Sequence, residues 1–379
     1  MTLHPLGEEE AALLDTVAAI ARERIAPRAS ADEEAARFPR EVFDELAGLG
    51  IAGLPFAADL GGGQAPVRLT LLVLEELARA SLAVGMGMSV HHLATWAVTT
   101  FATDQQRDAL AADLVSGRLL GAYALSEPDA GSDAAALTTR ARRDGDAYRL
   151  TGTKAWVTHG GVADRYVLMA RTGEPGAAGI SAFVVDADQP GLTVAPPERK
   201  MGLAASPTAQ LHLDDAPVPA SRLLGGAPGR GFAIAMAALD LARAYAGTRR
   251  QFGRAIGDFQ GVGFLLADMA TRTEAARQLT LAAAGLRDRA AAAGSPAPRL
   301  DGHPDAAAIS QAAAMSKLTA TDAAMQTASD AVQVLGGVGY TRELAAERYL
   351  REAKVLQILE GTNQIQRVVI ARHLLDGPR

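Results

Sequence analysis

Tyr123-Ala124-Leu125-Ser126-Glu127-Pro128-Asp129-Ala130-Gly131-Ser132-Asp133, followed shortly by Gly152-Thr153-Lys154-Ala155-Trp156-Val157-Thr158-His159-Gly160, decides how this chain is read. Glu-Pro, Ala-Gly and Ser-Asp in quick succession force the backbone through tight turns and present amide and hydroxyl groups suited to phosphate or ring heteroatoms. The second stretch reads as a strand leading to a tryptophan. On their own, both fit a turn-rich edge of a β-domain whose Trp156 fills a core. Four later segments separate the readings: Arg199-Lys200-Met201-Gly202-Leu203, Arg249-Arg250-Gln251-Phe252-Gly253, Gln333-Val334-Leu335-Gly336-Gly337 and Glu360-Gly361-Thr362-Asn363-Gln364.

Composition bounds the chemistry. With 379 residues, 49% hydrophobic and 21% charged, the chain has room for two or three subdomains. It contains no cysteine, which excludes disulfides, thiolate nucleophiles and cysteine-ligated metals and fits a reducing, cytoplasmic setting. A formal charge of −6 and a pI near 5.7 leave no electrostatic footprint for nucleic acid or anionic lipid. Met1 to Glu10 carries three glutamates where a targeting peptide needs basic and then apolar residues. Ala80 to Thr103 is long and free of Asp, Glu, Lys and Arg. Its glycines, hydroxyls and His91-His92 pair argue for a helix buried in a bundle, without membrane insertion. The paired histidines lack the other ligands of a metal site.

The period of the text changes twice. Residues 8 to 118 read as helices: an acidic start, an apolar stripe of Leu13, Leu14, Val17, Ile20 and Ile25, a stop or break at Pro27, then helices over 39–49, 68–83, 91–101 and 104–116. From about 119 to 228 the text is strand-like, with an Asp144-Gly145 hairpin turn inside 141–151 and short runs at 166–169, 180–185 and 210–213. After Gly231 it is helical and alanine-rich, apart from a loop over 294–304 between helices 265–293 and 305–335. Domains over 1–118, 119–228 and 229–379 follow.

These motifs, in this order and over nearly the whole chain, closely resemble the acyl-CoA dehydrogenase family. The resemblance implies a mainly α fold with a central β-domain: a helical N-terminal domain, a middle β-barrel and a C-terminal four-helix bundle. It implies FAD as the cofactor, an acyl-CoA substrate, an electron-transfer flavoprotein as partner, and a role in fatty acid β-oxidation. By the same resemblance Trp156 and Thr158 sit beside the isoalloxazine, while Tyr123, Leu125, Ser126, Gly131 and Ser132 line its other approach. Ser132 also lies near the pantetheine or phosphate part of CoA. Arg249, Gln251, Phe252, Gln260, Gln333, Val334, Gly336 and Gly337 resemble elements reaching the FAD of a neighbouring subunit, which implies a homotetramer built as a dimer of dimers. Thr362 and Gln364 complete the cofactor set. The family usually has Asn where His159 stands and Gly where Asp129 stands, changes expected to alter polarity near the flavin and to add a charge near a phosphate.

The chemistry of such a reaction singles out Glu360. An α,β-dehydrogenation removes a proton and a hydride from unactivated carbons, and no side chain accepts a hydride. The protein supplies binding, orientation and a base, best a carboxylate in a dry site. Glu360 ends the apolar run Val355-Leu356-Gln357-Ile358-Leu359, where an ionised group is costly without a role or a partner. Gly361 permits close ligand approach, and Thr362 can cap the next helix. In the family this element carries the base, and the glutamate's backbone N–H helps polarise the thioester carbonyl. The plainer alternative is a helix-terminal carboxylate in a salt bridge.

One departure concerns the substrate. Between Gly231-Phe232 and Arg249 the family has a helix about 20 residues longer, or about 30 Å at helical rise. That helix begins with an Asp-x-x-Arg element touching CoA. Asp240 and Arg243 can be aligned with this beginning, or Leu241 to Tyr245 with the helix end. Either the helix is shortened or an internal stretch is missing from the chain as sequenced. Intact-mass measurement would separate them: the sequence corresponds to 39.2 kDa, and a measured mass near that value would rule out the second. Rival functions are an acyl-CoA oxidase, a dehydrogenase of carrier-bound acyl groups, and a catalytically silent scaffold paralogue.

Overall fold

A computed structural model describes residues 6–174, 176, 179–225, 250–251, 254–255, 260–292 and 306–376. The first helical layer opens with α1 (Glu8–Ile20), where Glu10 reaches back to accept from the Gly7 backbone N–H at 2.9 Å. Its acidic first turn suits the positive end of the helix dipole. The chain does not stop at Pro27. A π-helical turn over Ala21–Ile25 absorbs the irregularity, and α2 (Ala26–Glu34) takes the proline in its first turn, where a missing N–H removes no bond.

Three more helices follow: α3 (Arg40–Gly48), α4 (Val67–Ala80) and α5 (Leu82–Phe101). α5 starts well before the expected His91. Extended Ser81 separates it from α4, and Gly85 lets the two helices touch, because a Cβ there would lie 2.7 Å from that of Ala78. Fifteen of its twenty residues are buried, so the charge-free run is the central helix of a bundle. Among the described residues no helix is long and apolar enough to cross a membrane. The buried histidines serve the fold. His91 accepts from the Gly121 N–H at Nδ1 (3.0 Å) and donates from Nε2 to Leu114 O (2.9 Å), while His92 Nε2 bonds Ile51 O at 2.9 Å. α6 (Asp104–Val115) begins with a capping box between Thr103 and Gln106.

The middle layer is a curled seven-stranded sheet in the order β1-β4-β2-β3-β7-β6, with β5 added to β4. The strands are β1 (Gly121–Ala124), β2 (Arg140–Asp144), β3 (Ala147–Thr158), β4 (Arg165–Arg171), β5 (Ile180–Asp186), β6 (Leu192–Val194) and β7 (Thr208–Pro219). β1 runs parallel to β4, so it enters the sheet beside a strand 44 residues later in sequence, Gly121 opposite Arg165, without a hairpin. The 210–213 run proves to lie in the first half of a twelve-residue strand that pairs antiparallel with β3. The fully buried Tyr166, Leu168, Phe183, Leu150 and Leu211 fill the sheet's inner face.

In the last layer, α7 (Gln260–Ala292) and α8 (Ala306–Leu335) pack along each other, and short α9 (Gly337–Tyr340), α10 (Ala346–Leu356) and α11 (Asn363–Asp376) return against α8. Two-residue strands β8 (Arg250–Gln251) and β9 (Arg254–Ala255) precede them. The expected loop over 294–304 lies outside the described residues. Asp288 of α7 accepts from the first N–H groups of α4, Val67 at 2.8 Å and Arg68 at 3.2 Å, and caps that helix across the domain junction. Arg277 grips both oxygens of Glu75 on α4 at 2.8 and 2.9 Å. The Arg-Lys-Met-Gly-Leu run is a second junction: Arg351 of α10 donates to Met201 O at 2.5 Å, and Glu33 of α2 accepts from the Ala205 N–H at 3.0 Å.

Candidate active site

The loop after β1 is fixed from beneath by a buried ion pair that the sequence motifs alone do not reveal. Lys154 on β3 is fully buried and donates to Glu127 Oε1 (2.7 Å) and Leu125 O (2.9 Å). Glu127 also accepts from the Thr138 N–H, the Thr138 hydroxyl and the Thr139 N–H. Burial pushes the Glu127 carboxyl up, but these donors and the lysine charge outweigh it and hold it at about 2. Burial lowers Lys154 to about 8 against the pull of Glu127, so both remain charged at neutral pH. The Ala155 N–H adds a bond to Ser126 O at 2.8 Å. A Glu127–Ala130 bridge closes the turn and leaves Asp129, Gly131 and Ser132 exposed at its tip.

Trp156 stands out of β3 on a bulge. Its pairing with β7 shifts register between Lys154 and Val157, and an extra residue there re-aims its side chain outward. The indole is 61% exposed, and its φ of +60° is a region that bulky side chains occupy only where the surroundings enforce it. An exposed aromatic face on a strained backbone fits a planar ring partner such as a flavin, not a core-filling role. Thr158 ends β3, paired with Thr208. His159, with φ +65°, turns away into the helix–sheet junction. It is buried edge-on to Phe38 and Phe43, its Nδ1 donates to Gly121 O at 3.1 Å, and burial pushes it down to about 4. The residue is neutral, and its ring is part of the core.

Glu360 sits in the turn between α10 and α11. It and Gly361 both have positive φ, +54° and +85°. Thr362 then caps α11, its hydroxyl accepting from the Ile365 N–H at 3.3 Å, as expected of that residue. A side chain at Gly361 would meet Gln366 Nε2 at 2.8 Å. Glu360 makes no ion pair within 4.0 Å among the described residues. Burial pushes its carboxyl up to about 7, with the charge of Lys317 acting in the opposite sense. Its own charge, added to burial, raises the hydroxyl of Tyr123 on β1. The first and last motifs therefore lie within electrostatic reach of each other, the Glu360 carboxyl acting on the strand that leads into the turn.

The other sequence candidates divide. Gln333, Gly336 and Gly337 are exposed at the far end of α8, and Val334 is buried there. Sixteen residues of helix separate Gln333 from Lys317, about 24 Å at helical rise, so this segment is remote from Glu360 of its own chain. Gln364 is exposed on the first turn of α11. Gln251 lies in β8, and Gln260 opens α7. Asp240, Arg243, Arg249 and Phe252 lie outside the described residues.

Models of the family's three parts match in chain order: "Acyl-CoA dehydrogenase, N-terminal domain" over residues 7–118, the middle domain over 122–216 and the C-terminal domain over 226–375. "Probable acyl-CoA dehydrogenase FadE25" of Mycobacterium tuberculosis (strain ATCC 25618 / H37Rv) is 40% identical over 98% of this chain and 97% of its own. The chain belongs to the acyl-CoA dehydrogenase family. A Bacillus subtilis (strain 168) acyl-CoA dehydrogenase is 41% identical over 98% of this chain and 99% of its own. The solved butyryl-CoA dehydrogenase of Megasphaera elsdenii superposes with a TM-score of 0.87 at 32% identity, covering 99% of this chain and 100% of that one. Alignment to the mycobacterial relative spans 393 positions against 379 residues here, so this chain is gapped within it.

Proposed function

We propose that this acyl-CoA dehydrogenase family member uses FAD to convert a saturated acyl-CoA thioester into its trans-2-enoyl-CoA and passes the electrons to an electron-transfer flavoprotein. The observation that carries this reading is Glu360, a carboxyl raised to about 7 in a strained turn and electrostatically linked to Tyr123 on β1, the strand that leads into the Glu127 turn. Such a group is ionised enough to take an α-proton and basic enough to keep it.

Bound FAD supplies the hydride acceptor for the β-carbon. Trp156, Thr158, Tyr123, Leu125, Ser126, Gly131 and Ser132 hold and orient it, with Thr362 and Gln364 at the other side of the site. Ser132, Gly361, Asp240 and Arg243 bind the thioester, whose carbonyl accepts from the Glu360 N–H. That bond strengthens as charge develops on the carbonyl oxygen, which is where it accelerates the reaction. Arg249, Gln251, Phe252, Gln260, Gln333, Val334, Gly336 and Gly337 serve the cofactor of a neighbouring subunit. The distance of the 333–337 segment from its own Glu360 supports that arrangement, and so do the exposed Tyr340, Val368, Leu374 and Leu375, apolar groups suited to burial between copies. The assembly is a homotetramer of chains divided at 1–118, 119–228 and 229–379, acting in cytoplasmic β-oxidation.

A panel of straight and branched acyl-CoA thioesters mixed anaerobically with the holoprotein tests the reaction. At least one should bleach the flavin within the mixing time of a stopped-flow instrument, and the reduced flavin should return slowly with oxygen and rapidly with electron-transfer flavoprotein. No bleaching with any thioester contradicts the reading, and rapid reoxidation by oxygen makes the protein an oxidase.

A further inference from the structure

We propose that Lys317 is a positioning residue for this reaction, placing a positive charge within electrostatic reach of Glu360 and pinning the Glu360 turn to α8 through Asn363. The inference rests on Glu360 being the base. Lys317 is only 4% exposed, and a buried ammonium is costly unless something compensates it. Its hydrogen-bond partner is a neutral amide: Nζ donates to Asn363 Oδ1 at 2.8 Å. No carboxylate lies within 4.0 Å of it among the described residues.

Two carboxylates act on it at longer range, Asp322 and Glu360. Asp322 is already committed. It accepts from Gln357 Nε2 (2.7 Å) and Asn363 Nδ2 (2.7 Å) and pairs with Arg367 (3.1 Å). Glu360 has no such partner. A buried cation without an ion pair therefore acts at range on a base without an ion pair. The spacing suits the chemistry. A contact salt bridge would hold Glu360 ionised and weakly basic, burial alone would keep it protonated, and a cation at one remove leaves it between those limits.

The same lysine braces the turn. Asn363 Oδ1 is shared with the Thr321 hydroxyl at 3.0 Å, and the Asn363 N–H closes the turn onto Gln357 O at 3.0 Å. Gln357 and Asn363, which flank Glu360 and Gly361, are thus both tied to α8. Positive φ at the non-glycine Glu360 persists only where the surroundings over-determine it, and this clamp does so. Among the described residues, the charged and titratable groups around the turn are Lys317 and Asp322 from α8, Lys354 from α10, which donates to Gln357 Oε1 at 3.0 Å, Arg367 from α11 and Tyr123 from β1. Asp322 pairs with Arg367 while also acting at range on Lys317, and Lys317 is the cation that acts on Glu360.

The test compares flavin-loaded wild type, Lys317→Met, Lys317→Arg and Asn363→Ala in single-turnover reduction by acyl-CoA between pH 5.5 and 9. The acid limb should lie near pH 7 in wild type, move up by on the order of one pH unit in Lys317→Met, and stay in place in Lys317→Arg. Asn363→Ala should lower the plateau and leave the limb where it is. A plateau loss without a limb shift in Lys317→Met, or an equal shift in Asn363→Ala, overturns the proposal. A thermal-unfolding cycle of Lys317→Met, Glu360→Gln and the double variant reads the link without turnover. Coupling at pH 7.5 that vanishes at pH 5.5 supports it, and coupling equal at both contradicts it. If wild-type flavin is reduced by no thioester, the reaction reading fails while the cycle still decides the Lys317 link.

Discussion

At the residue scale, Glu360 illustrates how a reactive group costs stability. Its carboxyl rises from 4.5 to about 7 because burial disfavours the charged form. A raised folded-state value contributes stability that is complete below about 4.5 and is lost as pH climbs through about 7. Glu360→Gln, which mimics the protonated form, should therefore unfold later than wild type at pH 8, by on the order of 2–3 kcal/mol. The difference should disappear near pH 4.5. Thermal unfolding of both proteins across that range checks the sign, and a variant less stable than wild type at pH 8 contradicts it. Glu360 was legible in the sequence because an acid followed by glycine closes an apolar run. Lys317 was not, since a lysine in an alanine-rich helix reads as a solvated side chain until the fold buries it.

At the scale of elements, the flavin-side turn and the bulge form one unit welded by Glu127 and Lys154. Removing the lysine leaves a buried carboxylate with its backbone donors but no counter-charge. Lys154→Met should cost about 3–5 kcal/mol and loosen FAD binding, measured by denaturant unfolding and flavin release. A loss under about 1 kcal/mol, the scale of an exposed pair, would show the pair to be peripheral. Because Glu127 is held at about 2, its stabilisation is present above about 4.5 and fades as pH falls toward 2. The turn was readable from Pro128 and Gly131, and the helices from their apolar stripes. What local text could not show was the π turn that carries the chain past Pro27, the early start of α5 made possible by Gly85, and the full length of β7. Each depends on a partner distant in sequence. His159 shows the same limit: next to a flavin motif it reads as a polar neighbour of the ring, yet φ +65° turns it between Phe38 and Phe43.

At the scale of the whole molecule, the α–β–α order was plain from two changes of hydrophobic period, because each stretch has its own secondary structure, whereas the cores that join helices to the sheet and to the last layer were not legible. Nor was the electrostatic link between Tyr123 and Glu360, since it follows from how β1 enters the sheet and how α10 and α11 fold back on α8. Asp288, the Glu75–Arg277 pair and the Glu33–Arg351 contacts hold that arrangement across domain junctions. The exposed apolar groups of α11 and the remote 333–337 segment predict that assembly and cofactor retention are linked. Dilution through the dissociation range in analytical ultracentrifugation should release FAD as tetramers fall apart, whereas a monomer that keeps its flavin contradicts a shared site. The most direct test of the account is anaerobic mixing of flavin-loaded Glu360→Gln with an acyl-CoA that reduces the wild type. The variant should stay yellow, bind the thioester and lose at least a thousandfold in reduction rate, on the scale of roughly 4 kcal/mol of lost transition-state stabilisation; undiminished bleaching would remove Glu360 from the role of base.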